Sequence, residues 1–162
     1  MRFVADVMLG RLAKWLRILG YDVSDLRTPK TASLIKQARE EGRVILTRNR
    51  RLTQEGQPVK VLLIESDHWR AQIAQVLKAF SLRPGQGRFR RCLLCNRRLV
   101  ALGKEQVEGK VPDFVLLNYP SYLRCPGCGR IYWQGSHLSG MAQIVSELLA
   151  PPDASSNKEG DP

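Results

Sequence analysis

Along the first eighty residues the spacing of apolar positions switches repeatedly between two periods. Phe3-Val4-Ala5 is a short apolar run closing on Asp6, the pattern of a buried strand. Leu9, Leu12, Leu16 and Leu19 then recur at helical spacing, which predicts a helix over about Leu9–Leu19 with Arg11, Lys14 and Arg17 on its polar face. Trp15, at the boundary of the two faces, reads as core, and Gly20 is a natural stop. Tyr21 to Val23 reads as a short strand. Leu34, Ile35 and Ala38 define a second helix over about Thr31–Glu41, with Gly42 as its C-terminal cap. Arg43 to Thr47 is nearly continuous in apolar, β-branched character, as in a strand covered on both faces, and Val59 to Ile64 repeats that signal. Ile73, Val76, Leu77 and Phe80 form the inner face of a third helix over about Trp69–Phe80.

Strands alternating with helices of about ten residues predict a parallel α/β sheet flanked by helices. In such sheets sites gather at the carboxyl ends of the strands. That rule puts Asp6, Thr47-Arg48-Asn49 and Ser66-Asp67 around one crevice. Asp67 also has the place and chemistry of an N-cap for the third helix, and Asp6 that of an N-cap for the first.

Past residue 82 the pattern changes. Arg83-Pro84-Gly85-Gln86-Gly87 has linker composition. Residues 88–138 carry the four cysteines, and Met141, Ile144, Val145 and Leu148 are periodic in a closing helix over about 139–149. The polar stretch Pro151–Pro162 reads as a disordered tail. The expected organisation is an α/β domain over 1–82, a cysteine module with its closing helix over 88–149, and a tail over 150–162.

The cysteines stand as two pairs, Cys92-Leu-Leu-Cys95 and Cys125-Pro-Gly-Cys128, with 29 residues between them. A two-residue gap lets both sulfurs of a tight turn face one centre, and two such turns supply the four thiolates of a tetrahedral Zn²⁺. Two disulfides would suit a secreted chain, and a redox pair is not expected twice. Four thiolates leave no open position for water, so the ion expected is a structural Zn²⁺. This module should be separable: Cys92→Ser is expected to unfold it and to spare the α/β domain.

The chain of 162 residues has 26 Lys+Arg against 15 Asp+Glu, a formal charge of +11. Four thiolates around one Zn²⁺ add a net −2, leaving about +9. Charge of this size favours a polyanionic partner. It is also clustered, because no acidic residue occurs from His68 to Lys104, a stretch that includes Arg88, Arg90, Arg91, Arg97 and Arg98. A hydrophobic fraction of 43% excludes disorder of the whole chain. No apolar run reaches the roughly 18 residues of a membrane span. With no signal peptide at its start, the chain is expected to be cytoplasmic. Neither a nucleophile elbow nor a phosphate-cradling glycine loop is present.

Four motifs then carry a resemblance: the run from Asp6 through Gly20-Tyr21-Asp22, the run Ala38 to Asn49, Cys92-Leu-Leu-Cys95-Asn96, and Arg124 to Trp133 followed by Gly135-Ser136-His137. In this order and spacing the chain resembles the Mut7-C RNase domain family over about residues 1–147. The resemblance implies a PIN-like parallel sheet flanked by helices, followed by a small zinc ribbon, and a metal-dependent ribonuclease. Such cleavage uses water activated on Mg²⁺ or Mn²⁺ held by carboxylates. The implied catalytic set is Asp6, Asp22 and Asn49, with Asp6 as the Mg²⁺ or Mn²⁺ ligand. Asn49 stands where the family pattern carries Asp, and Thr28 to Ser33 lacks the acids the family tends to carry there. The alternative is therefore a non-catalytic RNA-binding protein with a degraded metal site. Arg11, Lys14, Arg17, Arg48, Arg90 and Arg91 are the expected nucleic-acid contacts. Tyr132 and Trp133 could stack on bases or pack over the zinc knuckle. A protein partner, such as the ribosome or an RNA-processing factor, is a third reading.

Overall fold

The computed structural model describes residues 1–26, 30–53, 58–83 and 87–149. Four strands, β1 (Arg2–Ala5), β2 (Asp22–Asp25), β3 (Val44–Thr47) and β4 (Val61–Leu63), form a wholly parallel sheet in the order β2-β1-β3-β4. Helices α1 (Gly10–Ile18), α2 (Thr31–Glu41) and α3 (Trp69–Ala79) provide the connections and the cover. Alternation along the strands decides the layers. Phe3, Ala5, Val44 and Leu46 pack with α1 and α3, whereas Val4 and Ile45 pack with Leu34 and Ala38 of α2. Both faces of the central strands are thus dry, as their near-continuous apolar runs required.

The helices begin and end close to where the sequence placed them. Gly42 closes α2 at φ +60°, and its N–H donates to the Ala38 carbonyl. A short 3-10 turn over Val7–Leu9 precedes α1. Asp6 occupies the cap position of that turn without a side-chain cap bond. Asp67 does not cap α3 either: His68 holds the cap position, and Asp67 pairs with Arg48.

A second, antiparallel sheet contains β5 (Val100–Leu102), β6 (Tyr122–Arg124) and β7 (Ile131–Trp133), with the short helix α4 (Asp113–Asn118) between the first two. Val107, Val115 and Tyr122 form its own small core. The closing helix α5 (Ser136–Leu149) starts before the expected residue 139. Grouped at first with the cysteine module, it instead packs into the core of the parallel sheet, with Val145 fully buried and Met141, Ile144 and Leu148 beside it. Its apolar stripe faces the larger of the two cores, the one able to bury it. The expected tail over 150–162 and part of the linker, residues 84–86, lie outside the described residues. No helix among the described residues is long and apolar enough to cross a membrane.

Candidate functional sites at the sheet rim and the cysteine cluster

Every strand of the parallel sheet ends on one rim. Asp6 follows β1 there, half-buried, and its backbone N–H donates to the Leu46 carbonyl. Its Oδ2 accepts a hydrogen bond of 2.7 Å from the Thr47 hydroxyl. The same Thr47 oxygen accepts the N–H of Asn49 at 3.0 Å, so one buried threonine ties the ends of β1 and β3 together. The sequence placed Thr47 at this crevice but did not show its role as the tie between the two strand ends. Its signal was a polar residue closing an otherwise apolar strand next to the expected Asp6. The Asn49 amide oxygen accepts the N–H of Arg51 at 3.0 Å, capping the 3-10 turn Arg50–Thr53. Its side chain is used locally, in the way asparagines serve turns.

Asp22 is not part of this rim. In the parallel register Arg2 faces Asp22, while Ala5, the residue before Asp6, faces Asp25. Asp22 therefore lies about four residues, roughly 13 Å, from Asp6 along the strand direction. Two carboxylates on one hard cation must both reach within about 2.6 Å of it. The expected pairing of Asp6 with Asp22 is corrected on that geometry.

Asp22 instead belongs to an ion-pair network at the opposite end of the sheet. Its Oδ1 accepts from Arg43 at 2.5 Å and from the Asn96 amide at 2.8 Å, and Arg91 stands 3.3 Å from Oδ2. Burial alone raises the Asp22 pKa. The bonds from Arg43 and Asn96, with the charges of Arg43 and Arg91, outweigh it and hold the carboxyl below its ordinary range. A carboxyl lowered on folding contributes stability that is present above its unfolded pKa of about 3.9 and lost as pH falls through the folded value. In thermal melts at decreasing pH, Asp22→Asn should give a shallower fall in melting temperature below about pH 4 than the parent. An equally steep fall in both would assign the acid sensitivity elsewhere.

Arg17, expected on the solvent face of α1, is 2% exposed. Its Nε donates to the Val23 carbonyl at 2.8 Å, Nη1 to the Leu93 carbonyl at 2.8 Å, and Nη2 to Asp25 at 2.5 Å. It is a brace between β2 and the first cysteine knuckle, buried away from any nucleic-acid contact. Arg91, half-buried, donates to the carbonyls of Gly20 and Asn96 and is likewise largely committed. Arg11, Lys14 and Arg90 are exposed as expected, and Arg48 is partly exposed beside Asp67. Arg11 and Arg70 both lie over the ring of Trp69, at 4.8 and 4.5 Å from its centroid. Trp69 in turn stacks on Trp15 at 4.7 Å, so Trp15 is core, as its place on the helix suggested.

The four cysteines do converge. Their sulfurs all lie within 4.8 Å of one another, with Cys92 and Cys128 at 3.5 Å and Cys95 and Cys125 at 3.2 Å. A tetrahedron with Zn–S bonds of about 2.3 Å has edges near 3.8 Å, and these separations bracket that value, so the set suits such an ion. Each pair sits on the same knuckle: the first cysteine's carbonyl accepts from the residue after the second, Asn96 or Gly129, both at positive φ. Burial raises the Cys92 pKa, but the Tyr132 hydroxyl and the N–H groups of Cys95 and Leu94 bring it down to about 6, while burial and the adjoining Cys125 thiol push Cys95 up to about 12, the split expected of crowded sulfurs sharing protons. Tyr132 thus packs over the knuckle. Among the described residues this is the one group of three or more Cys, His, Asp or Glu side chains close enough to hold an ion. Among the described residues Asp6 is in no comparable group of three or more.

A parallel α/β sheet joined to an antiparallel ribbon with four converging thiols defines the class of protein. Within that class the chain belongs to the Mut7-C RNAse domain family, whose model matches residues 1–145. Neither the curated proteins nor the solved structures include a match.

Proposed function

We propose that the protein binds RNA on the carboxyl rim of its parallel sheet without hydrolysing it through a bound Mg²⁺ or Mn²⁺, and that Zn²⁺ fills the cysteine cluster as a structural ion. The observation that carries this reading is Asp6. Its carboxylate is paired with a threonine hydroxyl, Asn49 is turned to its own loop, and among the described residues Asp6 belongs to no group of three or more Asp, Glu, His or Cys side chains that could hold an ion. With so few carboxylates a hard cation would depend on substrate phosphates for its remaining ligands.

The charge around it supports phosphate binding. Helices α1, α2 and α3 each begin just past a strand end, as does the 3-10 turn after β3. Arg11, Lys30, Arg50, Arg51 and Arg70 sit on those first turns. All five are exposed. Membership of an RNase-domain family makes RNA the polyanion of choice. Guanidinium groups grip phosphate oxygens by charge-assisted, often bidentate, hydrogen bonds.

The test combines binding with cleavage. Labelled RNA should bind with an affinity that falls steeply as salt rises. Arg50→Ala combined with Arg51→Ala should weaken it about tenfold, a loss of two phosphate contacts. RNA incubated with Mg²⁺ or Mn²⁺ should stay intact to the same extent with the parent chain and with Asp6→Asn. Divalent-dependent cleavage that Asp6→Asn lowers by about a hundredfold or more would overturn the binding-only reading and restore Asp6 as a metal ligand. The rim position of Asp6, at the end of a central strand, is what favours that second reading.

A further inference from the structure

Two recesses adjoin between α1 and the ribbon, and both are walled by Arg90 and Arg91. The larger encloses about 590 Å³. Ile18, Phe89 and Leu93 line one side of it, and Ala101, Leu123 and Tyr132 the other. By strand register those last three share the ribbon face opposite Tyr122 and Trp133. The smaller recess, about 430 Å³, lies against Gly20 and Gly87 and is closed by Arg98.

The walls are fixed. The Phe89 N–H donates to the Ile18 carbonyl at 2.9 Å, and Gly20 and Gly87 approach so closely that a Cβ on Gly20 would lie 2.6 Å from the Gly87 oxygen. Arg91 is pinned by Gly20, Asn96 and Asp22. Its cross-strand neighbour in an isolated bridge is Arg98. Burial, helped by the nearby charges of Arg98 and Arg43, pushes the Arg91 pKa down in spite of the Asp22 charge. Among the described residues no acidic side chain lines either recess. Among the described residues Arg88, Arg90 and Arg98 have no carboxylate partner.

From this juxtaposition we infer that the cleft between α1 and the ribbon is a second RNA site, taking an unpaired base in the larger recess and its phosphate on Arg90 and Arg98. The apolar walls with the Phe89 and Tyr132 rings suit a flat heterocycle, and stacking of this kind is tolerant of base identity. The unpaired guanidiniums of Arg90, on the shared wall, and Arg98, on the smaller recess, suit the phosphate that such a base carries. A duplex cannot enter, because its bases are stacked and paired inside the helix, so the site selects single strands. It lies at the end of α1 remote from Asp6, and a nine-residue helix spans about 13 Å. The inference rests on the RNA reading for the identity of the polymer, but on none of the rim residues.

The experiment uses the full zinc-loaded chain, a fluorescent oligouridine of about twelve nucleotides, and the duplex of equal length. Arg90→Ala combined with Arg98→Ala should weaken single-strand binding at least about tenfold and reduce the slope of log affinity against log salt by about 1.4, two contacts at roughly 0.7 each. Ala101→Trp, which fills the cleft from an exposed strand position, should weaken binding by a similar factor through loss of stacking while leaving that slope unchanged. All should keep the parent's zinc content and melting temperature. If the parent binds and these variants bind equally well, the cleft site is overturned while the rim reading stands. A parent that binds no RNA overturns both. Retention of an acidic peptide such as oligoglutamate in preference to RNA also overturns the cleft site as stated.

Discussion

Removing the metal from the cysteine cluster, by chelation or by Cys92→Ser, is expected to destabilise the parallel sheet as well as the ribbon. Two separable modules would behave otherwise, and the sequence favoured that view. The contacts of the first knuckle decide against it. The carbonyl of Leu93 and, at 3.4 Å, that of Leu94 accept hydrogen bonds from the buried Arg17. Asn96, at φ +65° one residue beyond Cys95, accepts the Val23 N–H at 3.1 Å and donates to Asp22. Without a metal to hold residues 92–96 in their turn, Arg17 keeps its burial and loses two acceptors. Unsatisfied buried groups cost about 1–3 kcal/mol each, more when charged. A loss of about 3 kcal/mol lowers the melting temperature of a domain this size by about 6–12 °C. Hydrogen exchange on β2 and the end of α1 should quicken in parallel. Loss of the ribbon alone, with the exchange of β2 unchanged, would contradict the coupling.

The second large effect is expected from Arg17→Ala. Arg17 is the bulkiest of the fully buried side chains, and its guanidinium bonds three strand or knuckle carbonyls and one carboxylate. Truncation opens a cavity and strands Asp25, which is 29% exposed, beside buried carbonyls. Removing one member of a buried pair costs about 3–5 kcal/mol. Arg17→Lys should recover little of this, because one ammonium cannot span four acceptors divided between β2 and the knuckle. Equilibrium urea unfolding measures it. A loss below about 1 kcal/mol, the size of an exposed ion pair, would show that the brace contributes nothing special.

The parallel sheet was legible because its signals are local. The leucines of α1, the β-branched run of β3 and the glycine after α2 each act within a few residues of themselves. The cysteine spacing was legible for the same reason: a tetrahedral ion imposes a short-range rule. Arg17 was not. It occupies a polar position on the helix wheel of α1, and only the docking of the ribbon some 76 residues later converts that face into an interior. Asp22 was misplaced for a related reason. Its short distance in sequence from the first strand says nothing of which sheet end it occupies until the parallel register is known. Thr47 and Asn49 show the limit at the rim. Residue types announced hydrogen-bonding capacity there, and only the geometry showed it spent on neighbouring backbone and a single carboxylate.

At the outer strand β2, Val23 turns both its amide and its carbonyl away from β1, where another chain could add a strand. Asn96 and Arg17 occupy those two groups with side chains, in imitation of a pairing partner. Asn96 of the knuckle and Arg17 of α1 together guard this edge against self-association. Metal starvation would withdraw the Asn96 half of that cover, so the first sign of a demetallated population would be insolubility.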